Sequence, residues 1–202
     1  MRTRYEKLRL PVSRLASAAA VFFLLFSTNR WETRGEGIAT GLFTLGMFLV
    51  AIGSLGRMWC SLYIAGYKDQ VLITQGPYST TRNPLYFFSV FGALGVGFCT
   101  ETFTFPVLLL AVMILYYPLV VRKEERRLRE RFGGDFDDYA RRVPAFFPNL
   151  ALFSEPDTYL VKPIVYRRHM FSALWFGWIV GLIELAEGLK ELGGMPSFWS
   201  FW

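Results

Sequence analysis

The chain has 202 residues, 53% of them hydrophobic and 18% aromatic, with a formal net charge of +6. It is long enough for one domain but too apolar for an ordinary soluble one, so the composition points to an integral membrane protein. The positive charge excludes little until its distribution is read. Lys and Arg cluster before residue 15 and between 122 and 168, on either side of apolar blocks, which is the positive-inside pattern rather than a nucleic-acid footprint.

Taken in order, the first apolar run, 11–28, carries Arg14 near its end and is expected to span the bilayer as a helix with a snorkelling arginine. A cleaved signal peptide is the weaker alternative, because no small-residue cleavage pattern follows Phe26. The stretch 37–56 contains no charge and predicts a second span; 102–121 contains none either and predicts a fourth. Between them, 84–100 predicts the third. The expected architecture is therefore an all-α, polytopic membrane helical bundle of four spans with a doubtful fifth, forming a single domain over 1–202.

With the amino terminus in the cytosol, the first hairpin turns outside near 30–36, the segment 57–83 and the long basic segment after Val121 fall inside, and the turn at Glu101, which lacks Lys and Arg, falls outside. Cys60 and Cys99 then belong to opposite membrane faces and are not expected to form a disulfide. One histidine, His169, and no Cys/His cluster leave no expected metal site.

Two polar motifs flank the hairpin formed by the third and fourth spans. The first, GPYSTTRNPLY, contains Gly76, Tyr78, Arg82, Asn83, Pro84 and Tyr86. Asparagine before proline disfavours helix at Asn83, and proline suits a first helical turn, so Asn83 reads as an N-cap and Pro84 as the helix start. Unpaired amides, the positive dipole end and Arg82 together predict a local site for a carboxylate or phosphate, walled by Tyr78 and Tyr86. Spacing alone serves equally well an arginine and tyrosines that only touch lipid headgroups.

The second motif, RKEERRLRERF, continues the fourth span past Tyr116, Tyr117 and Pro118, where a proline commonly bends a helix and opens a cleft. Glu124 and Glu125 then stand about 5 to 6 Å beyond the hydrocarbon edge. Adjacent helical residues diverge, so one carboxylate is expected to face a cleft while the other pairs, with Glu125–Arg129 as a favourable i,i+4 pair. Gly133 and Gly134 end the helix. Asp135 and Asp138 suggest the start of another, DFDDYARR, whose Phe136, Tyr139, Ala140 and Val143 form an apolar face, and Pro144 and Pro148 close a small cap.

These residues together resemble the isoprenylcysteine carboxyl methyltransferase and phospholipid methyltransferase superfamily, whose pattern is approximately GxYxxxRHPxY, hairpin, EExxLxxxFGxxYxxY, then a proline-containing end. The resemblance covers about 55–148, including Gly56, Arg57 and Trp59, and leaves 149–202 as an extension. It implies an S-adenosylmethionine-dependent membrane enzyme that binds its cofactor from the cytosol and takes a lipid or lipid-attached acceptor from the bilayer.

Carried over, it implies cofactor-binding roles for Tyr78, Arg82, Pro84, Glu124 and Glu125, catalytic roles for Arg82, Asn83 and Tyr86, and supporting roles for Leu128, Phe132 and Tyr139. The departure is Asn83, where the family often has histidine; an amide cannot titrate, so an imidazole base is excluded there. The scarcity of bases mildly favours a carboxylate acceptor over an amine. A phospholipid N-methyltransferase, an NADPH-dependent reductase of related core and a non-enzymatic scaffold stand as the rivals.

In the extension, 171–183 is short for a span before Glu184 and Glu187, which leaves crossing, tilting and lying flat all open. Gly177 and Gly181 have the spacing of a close-packing or homodimer face. Phe198, Trp199, Phe201 and Trp202 suggest an aromatic anchor at the membrane interface.

Overall fold

A computed structural model describes residues 36–67 and 70–193, together with a three-residue parallel strand pair, β1 (Ser27–Asn29) with β2 (Trp199–Phe201). The rest of the expected first span and the side chains of the terminal aromatic anchor lie outside the described residues. Everything else of regular structure is helical. The elements are α1 (Glu36–Ile64), α2 (Pro77–Thr80), α3 (Pro84–Phe98), α4 (Thr104–Phe132), α5 (Gly134–Arg142), a 3-10 turn at Leu150–Leu152, α6 (Pro163–Ala173) and α7 (Trp175–Glu191).

Among the described residues three helical stretches are long and apolar enough to cross a membrane: α1, α4 and the pair α6–α7 over Pro163–Glu191. The doubtful fifth segment thus starts at Pro163, not at 171, and its early polar residues lengthen it enough to qualify. By contrast α3, expected as a full span, has 15 residues, a rise of about 22 Å. Many large apolar side chains on these helices are exposed, Leu115 at 74% and Leu119 at 64% among them, as lipid-facing surfaces require.

Helices α1 and α3 pack antiparallel at close range through glycine. A Cβ built on Gly53 would lie 2.4 Å from the Gly92 backbone nitrogen, so the two main chains nearly touch. Small residues at a membrane-helix crossing allow this approach, and dispersion between the backbones replaces a hydrophobic driving force that lipid does not supply. Beside the crossing, Val50, Val96, Cys99, Val180 and Ile183 form one core joining α1, α3 and α7. Gly177 and Gly181 take no part in such a contact within the described residues, since added Cβ atoms there meet open space.

The hairpin between α3 and α4 reverses at Glu101, the only described non-glycine residue with positive φ (55°). Helix α4 runs unbroken through Pro118 and past the apolar stretch to Phe132. Gly133, at φ 53°, then turns the chain into α5. The cap has its own small core, Phe136, Tyr139 and Val143 against Leu72, Leu128 and Phe132, which is the apolar face expected from DFDDYARR. No Asp side chain caps α5; Asp137 instead pairs with Arg129 at 2.7 Å and Asp138 with Arg141.

Candidate functional site

The first motif is held by the chain segment that follows the cap. The Gly76 amide donates to the Ser154 carbonyl (2.8 Å), the Ser154 amide to Ser79 Oγ (2.9 Å), the Asn149 amide to the Thr80 carbonyl (2.9 Å) and the Arg82 amide to the Pro144 carbonyl (2.9 Å). Residues 144–154 therefore form a strap running antiparallel to residues 76–82. Gly76 sits at φ 58°, where a Cβ would also meet the Tyr63 ring at 2.3 Å, so glycine is required there twice over. Tyr63 itself donates its hydroxyl to Glu155 and accepts, at its carbonyl, the hydroxyl of Tyr159. The strap is thereby tied to α1.

The two motifs meet at one end of the hairpin. Arg82 Nε donates to Glu125 Oε1 at 2.9 Å, and Arg82 Nη1 donates to the carbonyls of Ala140 (2.6 Å) and Val143 (3.3 Å). With side chains only 14% and 19% exposed, this pair is shielded from water and fastens α4, the cap and the start of α3 together. Asn83 Nδ2 donates to the Ala145 carbonyl (2.9 Å) and, more weakly, to Glu125 (3.4 Å). The Tyr86 hydroxyl donates to Glu124 Oε2 at 3.0 Å, and the Tyr86 ring packs on Tyr117 at 5.1 Å.

Three local expectations change. Asn83 occupies the N-cap position but makes no side-chain cap, because the strap carbonyl of Ala145 claims its amide. Glu125 pairs with Arg82 rather than Arg129, which turns to Asp137. Arg82, expected as an open anion site, has its Nε and Nη1 engaged by protein acceptors, so much of its fork acts as a clasp.

Beside the clasp lies an open cleft with a cavity volume of about 120 Å³, lined by Ile64, Leu72, Tyr78, Tyr86, Glu124 and Tyr139 among others, with Arg82, Asn83 and Pro84 also in its wall. Glu124 lines it and Glu125 does not, which is the division of labour that adjacent helical positions impose. The wall is mostly apolar and aromatic, with one carboxylate able to accept hydrogen bonds. Tyr139 donates its hydroxyl to the Tyr78 carbonyl at 2.7 Å, locking the cap to the first motif.

Burial pushes the phenols of Tyr78 and Tyr139 upward from their ordinary value of 10.0. A raised acid pKa favours the neutral, donor form, so its contribution to stability is complete below pH 10 and declines as pH rises beyond it. Cap docking, followed by protease sensitivity of the 133–155 segment, is expected to be constant from pH 7 to 9 and to weaken above 10. Tyr139→Phe should remove part of that alkaline step, Tyr78 keeping the rest, at a cost of about 1 kcal/mol at neutral pH. An alkaline step of unchanged size in that variant would assign it elsewhere.

Sequence reasoning passed over Arg57 except as part of the resemblance, and gave no role to Tyr63, Ser89, Tyr117 or Glu155. Arg57 donates to Ser89 Oγ from α1 to α3, and its guanidinium lies 5.6 Å from the Phe176 ring centre on α7. A lone arginine near the end of an apolar run was the one available signal. Among the described residues no group of three His, Cys, Asp or Glu side chains is arranged to hold a metal.

The apolar helices thus carry a polar clasp and a cleft at one end of a hairpin. The phospholipid methyltransferase family matches residues 37–135, and the chain belongs to that family. It is 36% identical over 190 residues to the nickel-cobalt-cadmium resistance protein NccN of Alcaligenes xylosoxydans xylosoxydans, covering 94% of this chain and 88% of that protein. It is 40% identical over 185 residues to the cobalt-zinc-cadmium resistance protein CzcN of Cupriavidus metallidurans, covering 92% and 84%. A more distant relative, the protein-S-isoprenylcysteine O-methyltransferase of Schizosaccharomyces pombe, is 27% identical over 113 residues, covering 54% of this chain and 48% of that enzyme. No solved structure matches.

Proposed function

We propose that this protein transfers a methyl group from S-adenosylmethionine to a lipid or lipid-attached acceptor, with the donor entering the cleft under the cap from the cytosol. The observation that carries the reading is the convergence of both motifs on one cleft, where Glu124 faces inward and Arg82 is held beside it by Glu125. The donor set suits such a molecule: a carboxylate for an ammonium or ribose hydroxyl, aromatic faces for a sulfonium and a guanidinium for a carboxylate.

Bound there, S-adenosylmethionine would supply an electrophilic methyl on a positively charged sulfur. The chain's own task is alignment and exclusion of water. Tyr78 and Tyr86 wall the cleft, Glu124 accepts from the donor's polar groups, and Arg82 presents positive charge to its carboxylate while Glu125 and two carbonyls keep it oriented. Asn83 holds the strap in place and cannot serve as a titrating base. A carboxylate acceptor needs no base, which favours O-methylation over the amine chemistry of a phospholipid N-methyltransferase.

The names of NccN and CzcN link two long relatives to metal resistance. We infer that this chain's part in any such process is modification of a membrane component, since its cleft offers one carboxylate and aromatic walls rather than a ligand cluster.

Calorimetric titration of the purified protein with S-adenosylhomocysteine tests the donor assignment. Saturable heat is expected, with Tyr86→Phe weakening binding by about fivefold through loss of the Glu124 hydrogen bond. Heat from NADPH and none from S-adenosylhomocysteine would transfer the protein to the reductase reading.

A further inference from the structure

A second cavity, more open than the cleft, has an arginine in its wall. Its volume is about 360 Å³, and it is lined by Arg57 of α1, Ser89 of α3, Met113 and Tyr117 of α4, and Ser172, Trp175 and Phe176 of the α6–α7 pair. Arg57 stands seven residues before the end of α1, about 10 Å along the helix, and Ser89 stands five residues into α3. The guanidinium is therefore inside the helical bundle, below the level of Glu124 and Glu125.

Its hydrogen bonding is incomplete. Arginine carries five N–H donors. Here one nitrogen donates to Ser89 Oγ, one face lies over Phe176, and buried Nε has no hydrogen-bond partner among the described residues. An ionisable group at membrane depth is costly and normally paired. A buried donor without a partner is costly, more so when it is charged, so the site favours any ligand that brings oxygen lone pairs and negative charge. Apolar Met113, Trp175 and Phe176 beside that charge suit an acyl or prenyl chain.

The cavity also borders the cleft. Tyr117 lines the cavity, Tyr86 lines the cleft, and their rings touch edge to face at 5.1 Å. We propose that the Arg57 cavity is the acceptor's site and reads an oxyanion on a lipid, with Arg57, held in place by Ser89, binding the anionic head and the α6–α7 pair flanking its chain. This deepens the methyltransferase reading and rests on it for the word acceptor. If the anion is a carboxylate, an oxygen lone pair forms the new C–O bond as the donor's C–S bond breaks. The products are a neutral ester and a neutral thioether, and no proton moves. If it is a phosphate, it anchors the lipid instead.

The α6–α7 residues lie beyond 37–135, the region that defines the family match. Acceptor choice would then be built largely from the extension, while the donor cleft stays with the shared core.

The test compares binding of oleate, dioleoyl phosphatidic acid and oleyl alcohol to purified full-length protein in a neutral maltoside detergent, by native mass spectrometry. At least one anionic amphiphile is expected to bind tenfold or more tightly than the alcohol; which one does so separates a carboxylate from a phosphate source. Arg57→Gln should abolish that preference while S-adenosylhomocysteine affinity changes less than threefold, and Arg57→Lys, which keeps charge but loses the fork, should retain part of it. Preference of equal size in Arg57→Gln, or none in the wild type, overturns the site. Should Arg57→Gln not fold, Ser172→Trp, which fills the cavity from the opposite wall, is expected to lower oleate and phosphatidic acid binding alike, and unchanged binding there also overturns it. Donor titration is read separately, so a wild type that discriminates anions but ignores S-adenosylhomocysteine sinks the enzyme reading and leaves the anion site.

Discussion

Replacing Arg82 with alanine is expected to weaken S-adenosylhomocysteine binding by roughly 30- to 150-fold, equivalent to about 2 to 3 kcal/mol. The substitution does three things at once. It removes the 2.9 Å bond to Glu125, frees the carbonyls of Ala140 and Val143, and strands a carboxylate that is 19% exposed. A partly buried charge left without its partner costs more than the pair was worth, which is why truncating one member is the sharper probe.

Glu125→Gln should be milder, near tenfold, because the amide oxygen still accepts from Arg82. The double variant separates clasp from ligand. If Arg82 acts mainly through Glu125, adding Glu125→Ala to Arg82→Ala should cost little more than Arg82→Ala alone, a coupling of at least 1 kcal/mol in the cycle. Calorimetry on the four proteins reads this directly; strict additivity would show that Arg82 serves the donor independently of the clasp.

The second large effect belongs to the helix crossing. Gly53→Leu is expected to destabilise the detergent-solubilised protein by about 3 kcal/mol or more, the upper end for overpacking, because the added Cβ meets backbone atoms that cannot rotate away. Gly92→Ala should cost less. Its Cβ would press on the Phe176 ring at 2.3 Å, and a ring can yield where a main chain cannot. Gly177→Ala, in open space, should be close to neutral. Thermal melts of the three variants should rank in that order, and a Gly53 variant as stable as the Gly177 variant would refute the close crossing.

The apolar blocks and their charged borders were legible in the sequence because hydropathy over 18 or more residues is a strong signal. So was the pairing of the two motifs, since a hairpin must bring its ends together. The cap's apolar face followed from helical spacing of Phe136, Tyr139 and Val143. What could not be read were bonds made by main chain. The strap at 144–154 has no periodic pattern, yet its carbonyls and amides claim the Arg82 amide, Asn83, Ser79 and Gly76. The Ala145 carbonyl explains why Asn83 fails to cap, and the Arg82 side chain is what takes Glu125 from Arg129.

The carboxyl-terminal span was obscured for a different reason. Glu184 and Glu187 interrupt the hydropathy of 171–190, while the part that lengthens the helix, from Pro163, includes Arg167 and Arg168 and reads as polar. Arg57 was obscured by its surroundings. A single charge seven residues from a helix end is ordinary snorkelling material, and only the positions of Ser89 and Phe176 turn it inward.

The strap also sets an order of events during synthesis. Ser79 bonds to a strap partner 75 residues later in the chain, and the Tyr78 carbonyl to a cap partner 61 residues later, so α1 and α3 can be inserted before those partners have left the ribosome. Contacts so distant in sequence form late. A chain ending at residue 143 would accordingly keep α1, α3 and α4 but lack the strap, and with it the bonds that fix the first motif.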